Sequence, residues 1–409
     1  MDIAISSLSV STESNSGSDK SSWTDSTQLA EYLNEDIQRI VLPTIVFIGA
    51  EMVLGFVGNL LFLYVFGFRY HVCNYKYFVL SLAVIDILTT VTTMPGEMIT
   101  QIYWYVYSVN LVCKVKSFCN VFTLTAEALC LLAIAIDRYR KVCRPLAWQI
   151  KTKCAKIICF CIPVVAFFIA LPTPFLWGER TLLKTYKNMT LNVTICEKDD
   201  KFESTNYPLI YISIVSGIIS AILAFMFSRY AYVFGTIIKE RRRSKKIKQN
   251  HPVGLKFLVQ TSPSSVTSDE ANRCEEASDS GVIDIGETST TSGSQQPSSL
   301  LNAAQSDVSK SEKLRKHSAR LRKSKRVRRK TLIMFIVTLV FIVTTIVYLI
   351  LVSIIASTDD ILQKLNDASK AVYFFFLRLY FINHVINPFI YGVLDPEFKH
   401  TKYLLVSFF

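Results

Sequence analysis

Seven long apolar runs constrain this chain more than any other feature of its sequence. They cover about 40–68, 75–103, 110–136, 155–177, 207–238, 331–358 and 371–394. About 20 apolar residues cross a bilayer as a helix, so each run is long enough to span with some tilt. The run from Thr331 to Thr358 holds 28 residues without one charge. A soluble protein of 409 residues does not normally place 51% hydrophobic residues in runs of this kind. The expected fold is an all-α membrane protein, a bundle of seven transmembrane helices with a short amphipathic helix at the C-terminus. Seven crossings put the two termini on opposite sides.

The third run reads from Cys113 to Ile136 and ends in Asp137-Arg138-Tyr139. An arginine at the rim of an apolar helix is costly to hold in hydrocarbon, so its position implies a task at a membrane face. Cys113 precedes Arg138 by 25 residues, roughly 37 Å at 1.5 Å per residue, enough to cross the whole bilayer. The competing reading is an arginine that only snorkels to the headgroups.

The formal net charge is +13, and it is uneven. Between Lys239 and Lys330 stand 21 Lys+Arg against 10 Asp+Glu, an excess of 11. A basic protein raises nucleic-acid binding as a first thought. Basic flanks beside membrane spans instead mark the cytoplasmic side, and no nucleic-acid partner is expected. Lys239 to Arg243 follow the fifth run, Arg326 to Lys330 precede the sixth, and Arg140, Lys141, Arg144, Lys151, Lys153 and Lys156 follow the triplet. These place Arg138 in the cytosol and the N-terminus outside, in a multi-pass protein of the plasma membrane.

The chain is expected to divide into a disordered extracellular head (1–39), helices one to five (40–239), a disordered cytoplasmic third loop (240–328), helices six and seven (329–394), and an amphipathic C-terminal segment (395–409). The head is Ser/Thr-rich, without a signal peptide, so the first span would act as its own insertion signal. The loop has a serine-rich acidic middle that cannot bury enough surface to fold alone. Its basic ends would extend spans five and six as helices or lie against anionic lipid. It serves either as a passive tether or as a docking and phosphorylation region. Phe398, Leu404, Leu405, Phe408 and Phe409 suit a helix lying on the inner surface.

Most of the ten cysteines lie within spans or at their cytoplasmic ends, where thiols stay reduced. Cys113 and Cys196 fall on the outer side, and a bridge between them would tie the loop after span four over the outer end of span three. The same loop holds two N-glycosylation sequons, at Asn188 and Asn192.

Further marks run through the body in order. Span one has Gly58-Asn59. Span two has Ser81-Leu82-Ala83-Val84-Ile85-Asp86, then Pro95. Span three has Cys113 and Asp137-Arg138-Tyr139, with Pro145 in the next loop. Span seven has Asn387-Pro388-Phe389-Ile390-Tyr391, with Phe398 beyond. This ordered set resembles the rhodopsin-like (class A) G-protein-coupled receptors over roughly residues 40–400, apart from the long loop. The resemblance implies a receptor rather than an enzyme, with no catalytic residues. It would pass ligand binding to a heterotrimeric G protein through Asp137, Arg138, Tyr139, Asn387, Pro388 and Tyr391. Receptor kinase and arrestin are implied as further partners. In the resting packing Asp137 would pair with Arg138; in the active one Arg138 would meet a G-protein helix, and Tyr391 would move inward with Tyr230 or Tyr232.

Three departures stand out. Span four lacks the usual tryptophan, span five has no proline within the membrane, and span six reads Phe341-Ile342-Val343-Thr344-Thr345-Ile346-Val347 where Phe-x-x-Cys-Trp-x-Pro is usual. A proline kinks a helix by removing a backbone hydrogen bond, so span six should be straighter here.

Asp86 is a carboxylate in an otherwise apolar span and should face the bundle interior. The resemblance implies that it binds sodium beside Asn387. Glu127 lies 11 residues, three turns, before Arg138 and so on the same face of span three. His384 lies one turn before Asn387. Asp86, Glu127, Asn383, His384 and Asn387 are expected to form one cluster. Two close carboxylates share a proton or hold a cation, so a sodium ion and a proton-shared knot both stand as readings. Glu51 precedes Asn59 by eight residues and Arg378 precedes Asn387 by nine. The resemblance implies that the two asparagines sit at one depth, which puts both charges at a similar level, and an ion pair between them is expected because an unpaired charge there is costly. The alternative is that both snorkel.

The ligand is read by exclusion. Receptors for amines in this family carry an aspartate 18 residues before the triplet arginine; here that residue is Asn120. Retinal needs a lysine where Phe381 stands. An extracellular peptide, a neuropeptide or peptide hormone, remains. The loop 178–206 would form a strand-like lid. Glu97, Gln101, Lys116, Asn120 and Tyr348 would supply polar contacts, with Phe374 and Phe375 as walls. A seven-span transporter using the buried charges, and a receptor-like protein that binds without coupling, are the rival readings.

Overall fold

The computed structural model describes residues 16–69, 73–186, 189–250, 298–357, 365–395 and 398, with side chains from residue 28 onward except those of 69, 244–250, 298–325, 356 and 357. Helix α1 (Ser16–Tyr64) runs into a π-helical turn (Val65–Arg69). The second crossing is α2 (Asn74–Val91) with α3 (Thr93–Ile102), and the third is α4 (Asn110–Cys143). The fourth is α5 (Thr152–Ala170) with the short α6 (Thr173–Leu176), the fifth α7 (Tyr207–Asn250) and the sixth α8 (Ser298–Ser357). Then α9 (Asp367–Arg378), a 3-10 turn (Leu379–Ile382) and α10 (Asn383–Leu394) follow end to end.

Six helices among the described residues are long and apolar enough to cross a membrane. The seventh apolar run falls outside that set because the 3-10 turn divides it into α-helices of 12 residues each. The architecture is an all-α membrane protein.

The breaks have local causes. Before Pro95, the hydroxyls of Thr89 and Thr92 bond back to the carbonyls of Ile85 and Leu88, at 3.0 and 2.6 Å. Such back-bonding bends helices, and Pro95 then removes one N–H from the ladder. In α10, Pro388 leaves the carbonyl of His384 without its helical donor. The amide of Asn59 fills that place, donating at 2.7 Å to His384 and at 2.9 Å to Gly55. Without a proline, α8 is one unbroken helix.

Lipid tails are as apolar as leucine, so close packing and buried polar contacts hold such a bundle. The largest core includes Phe62, Phe66, Phe78, Leu131, Phe341 and Tyr391. A second gathers Ile48, Met94, Tyr380, Phe381 and Val385, and a third Ile37, Val41, Tyr373 and Phe374. Spans two and three approach closely at Gly96. A Cβ there would lie 2.8 Å from Cβ of Lys116, so only glycine lets α3 press on α4 at this point.

The bundle is covered at one end by an antiparallel hairpin, β1 (Trp177–Tyr186) with β2 (Met189–Lys198). A disulfide joins Cys113 to Cys196 with their Cα atoms 5.6 Å apart, pinning the hairpin to α4. The hairpin also bonds to the segment after α3, through Thr194 N–H to Tyr105 O (3.1 Å) and Tyr107 N–H to Thr194 O (3.0 Å). Arg180 bonds Glu197 at 2.7 Å and Glu203 at 3.3 Å. Partial burial alone would lower its pKa; the two carboxylates reverse that and raise it.

Helix reaches into two of the segments flanking the spans. The head is not disordered over all of 1–39: α1 begins at Ser16, and Asn34 is buried, donating to Ile102 O at 2.9 Å and accepting from Tyr105 N–H at 3.0 Å. The ends of the 240–328 loop are helical, as α7 reaches Asn250 and α8 starts at Ser298. The acidic middle, 251–297, lies outside the described residues. So does most of the C-terminal segment, though Phe398 is buried against Phe62 and Phe66 at ring distances of 5.5 and 6.1 Å.

Candidate functional site

Three polar clusters lie inside the bundle. At the end away from the hairpin, Arg138 Nη2 lies 2.6 Å from Oδ2 of Asp137, and Lys141 Nζ lies 3.2 Å from the same oxygen. Arg138 is buried and also faces the ring of Tyr75 at 5.5 Å. Lys330 of α8 faces the same ring at 5.2 Å. Tyr139 packs on Tyr232 at 6.3 Å, under Arg229 at 5.0 Å. Tyr391 is buried beside Phe62 and Phe66, and its hydroxyl lies 3.3 Å from the sulfur of Met334. Tyr230 and Thr338 place their hydroxyls 3.1 Å apart across α7 and α8.

The middle cluster is fully buried. Asp86 bonds Nδ1 of His384 at 2.9 Å and accepts from Asn387 at 2.8 Å. Nε2 of His384 lies 3.6 Å from Oε2 of Glu127. The imidazole therefore stands between the two carboxylates. Asn383 does not join them. It exchanges hydrogen bonds with Thr344 of α8 at 2.8 and 3.1 Å, so the expected cluster of five holds four of its members.

The third cluster lies toward the hairpin. Glu97 accepts from Arg378, with Nε at 2.9 Å and Nη2 also bonded to the same oxygen, Oε1. Its other oxygen, Oε2, lies 3.2 Å from Nζ of Lys116. The carboxylate thus joins α3, α4 and α9. The guanidinium also lies 5.3 Å from the ring of Phe374, which packs on Trp104 at 4.9 Å. One turn deeper, Asn120 accepts from the hydroxyl of Tyr380 at 2.8 Å and donates to that of Tyr348 at 3.5 Å. Gln101 is buried beside Glu97 on the same face of α3.

The Glu51–Arg378 pair is therefore wrong. Arg378 is engaged by Glu97, and both carboxylate oxygens of Glu51 are buried without a hydrogen-bond partner. Counting residues back from Asn387 holds only for one continuous helix. The 3-10 turn of four residues intervenes, and at 120° rather than 100° per residue it turns the following face by roughly 80°.

The sequence matches the family model for the 7 transmembrane receptor (rhodopsin family) over residues 58–391. The chain belongs to the rhodopsin family of seven-transmembrane receptors. It is 25% identical over 211 residues to neuropeptide Y receptor type 1 of Xenopus laevis, a match covering 49% of this chain and 56% of that receptor. It is 32% identical over 124 residues to the gastrin/cholecystokinin type B receptor of Canis lupus familiaris, covering 29% and 26% of the two chains. The corresponding figures for the Sus scrofa receptor are 32% over 114 residues, covering 27% and 25%. The chain thus spans about half the length of the first of these curated relatives and about a quarter of the others.

Members of the rhodopsin family are signalling receptors, not enzymes. Within this member, the middle cluster offers both oxygen and imidazole groups, and Oε2 of Glu127 and Oδ1 of Asn387 are buried without a hydrogen-bond partner. One ligand atom from each of Asp86, Glu127 and His384 lies within 4.8 Å of the others, a metal-like spacing. Sodium takes oxygen ligands, and here an imidazole stands between the two carboxylates and both Asp86 oxygens are engaged by His384 and Asn387.

Sequence reasoning missed Tyr380, Thr344, Tyr75, Lys141 and Lys330 as parts of these clusters. Lys141 had a signal, its i+4 spacing from Asp137. The others meet their partners only across helices. Of the two sequons, Asn192 is exposed on β2, and Asn188 lies outside the described residues.

Proposed function

We propose that this protein is a plasma-membrane receptor for an extracellular peptide, a neuropeptide or peptide hormone, and that it couples to a heterotrimeric G protein. The hairpin end faces outward and the Arg138 end faces the cytosol, as the basic flanks require. The observation that carries the reading is the polar floor beneath the hairpin, Glu97 with Lys116 and Arg378 above Asn120, Tyr348 and Tyr380. It offers several separated polar contacts between aromatic walls, as an extended polar ligand needs. Asn120 cannot supply the charge a protonated amine requires, and Phe381 cannot form a Schiff base. The likeness to receptors named for neuropeptide Y and gastrin/cholecystokinin supports the same class.

A ligand shifts the two packings of the bundle only by its differential affinity for them. In the resting packing Arg138 is neutralised on its own helix by Asp137. Freed from it, the guanidinium offers a fork of donors to a G-protein helix. Asp86, His384, Glu127 and Asn387 act as a proton-bridged knot that fixes spans two, three and seven relative to one another, in place of a sodium ion. Receptor kinases and arrestin act on the cytosolic segments.

Arg138→Ala tests the coupling assignment. It should abolish ligand-stimulated nucleotide exchange on the G protein while leaving ligand binding within a few-fold. Normal exchange in that variant refutes the role of Arg138. Ligand is found by a peptide-library screen on cells reporting calcium and cyclic AMP. Ion flux in reconstituted vesicles, tracking the buried charges, would favour a transporter instead.

A further inference from the structure

The geometry points to a carboxylate on the ligand, a free C-terminus or an acidic side chain, seated on Arg378 and Lys116 beside Glu97. This rests on reading the hairpin end as the peptide pocket. The charges there do not balance. One carboxylate meets two cations, and both its oxygens are already engaged, Oε1 by Arg378 and Oε2 by Lys116. Arg378 nevertheless keeps a donor in hand. Its Nη1 is buried without a hydrogen-bond partner, in a residue only 7% exposed.

A second orphan stands on the same wall. Gln101 is 0% exposed, and neither its Nε2 nor its Oε1 has a partner. It lies four residues after Glu97, on the same face of α3. A surplus charge is expensive in a low-dielectric interior, and an arriving anion removes that cost. The chemistry also selects the anion. A guanidinium fork matches a planar carboxylate, and a lysine adds a point charge beside it. The site is not sealed, as the side chains of Glu97 and Lys116 keep 14% and 13% exposure. Glu51 does not supply the missing charge, since it has no ion-pair or hydrogen-bond partner.

The test uses the full-length receptor in lipid nanodiscs. Its thermal unfolding midpoint is measured with millimolar N-acetyl-phenylalanine, a mimic of a peptide C-terminus, and with the matching amide. The acid should raise the midpoint by several degrees and the amide should not. The difference should vanish in Arg378→Gln and shrink in Lys116→Gln. Equal shifts with acid and amide, or none with either, overturn the carboxylate seat. That comparison is made on the unaltered protein, so a variant that fails to fold does not blunt it. A cell screen then compares each peptide as free acid, as amide, and with Asp and Glu replaced by Asn and Gln. Loss of potency of about 100-fold on amidation assigns the C-terminus, and on side-chain neutralisation the acidic residue. Activators that are all neutral and amidated overturn the seat while leaving the peptide reading intact. An acid-selective shift with no active peptide upholds the seat and removes the peptide reading.

Discussion

Two clusters with the same inventory, one carboxylate and two cations, stand at opposite ends of this bundle and are built in different ways. Asp137, Arg138 and Lys141 all belong to α4, at positions i, i+1 and i+4. Glu97, Lys116 and Arg378 come from α3, α4 and α9. Breaking the first changes what Arg138 can face but unties no helix from another. Breaking the second removes a polar tie among spans two, three and seven near the hairpin. A cluster within one helix can release a charge cheaply, which suits a switch. A cluster across three helices couples a contact made at one of them to the positions of the others, which suits a receiver.

The sharpest break of that comparison is Glu97→Gln. It leaves a buried Arg378 and a half-buried Lys116 facing an uncharged amide, and removal of one partner from a buried ion pair costs about 3–5 kcal/mol. A clear fall in the thermal midpoint of the purified receptor and in its surface expression is expected. Adding Arg378→Gln should recover part of the loss, because the double variant strands one cation fewer. Wild-type stability in Glu97→Gln would mean that the three helices are held by something else. Asp137→Asn should cost less, about 1–3 kcal/mol, since it strips the partner from a buried arginine without separating helices. Its main effect should be functional: basal nucleotide exchange several-fold above wild type, read without ligand. Unchanged basal exchange would argue that Asp137 does not restrain Arg138. Thr344→Val removes the link from α8 to Asn383 and should cost about 1 kcal/mol. A matched loss in Asn383→Ala, with no further loss in the double variant, would show the two acting as one unit.

The same division explains what could be read from the sequence. The seven crossings, the Asp137-Arg138-Tyr139 triplet and its counter-ion spacing are properties of single segments, and periodicity or composition reveals them. That Glu97 and Lys116 lie in one group was also legible, since both are expected on inner faces at the same end of their spans. That Arg378 completes the group was not. Counting gives a depth along a helix but gives direction only if the helix is regular, and the turn at Leu379–Ile382 breaks that regularity. Asn383 departs from its expected cluster for a related reason. It begins α10, immediately after the turn, and reaches α8 instead of the carboxylates. His384 belongs to the middle cluster as its spacing implies, but its position between Asp86 and Glu127 arises only where three helices meet.

The smallest effect should come from Glu51→Gln, and its smallness is informative. Glu51 lies on α1, with no hydrogen bond or ion pair to either carboxylate oxygen. Replacing it breaks no polar contact, so the change should stay below about 1 kcal/mol. The contrast with Glu97→Gln is the useful quantity, because both changes neutralise an acid in the outer half of the bundle and only one of the acids touches Arg378. A difference of several degrees in midpoint between the two variants means that Arg378 answers to Glu97. Equal losses would mean that Arg378 divides its charge between the two acids, and the outer cluster would then span four helices rather than three.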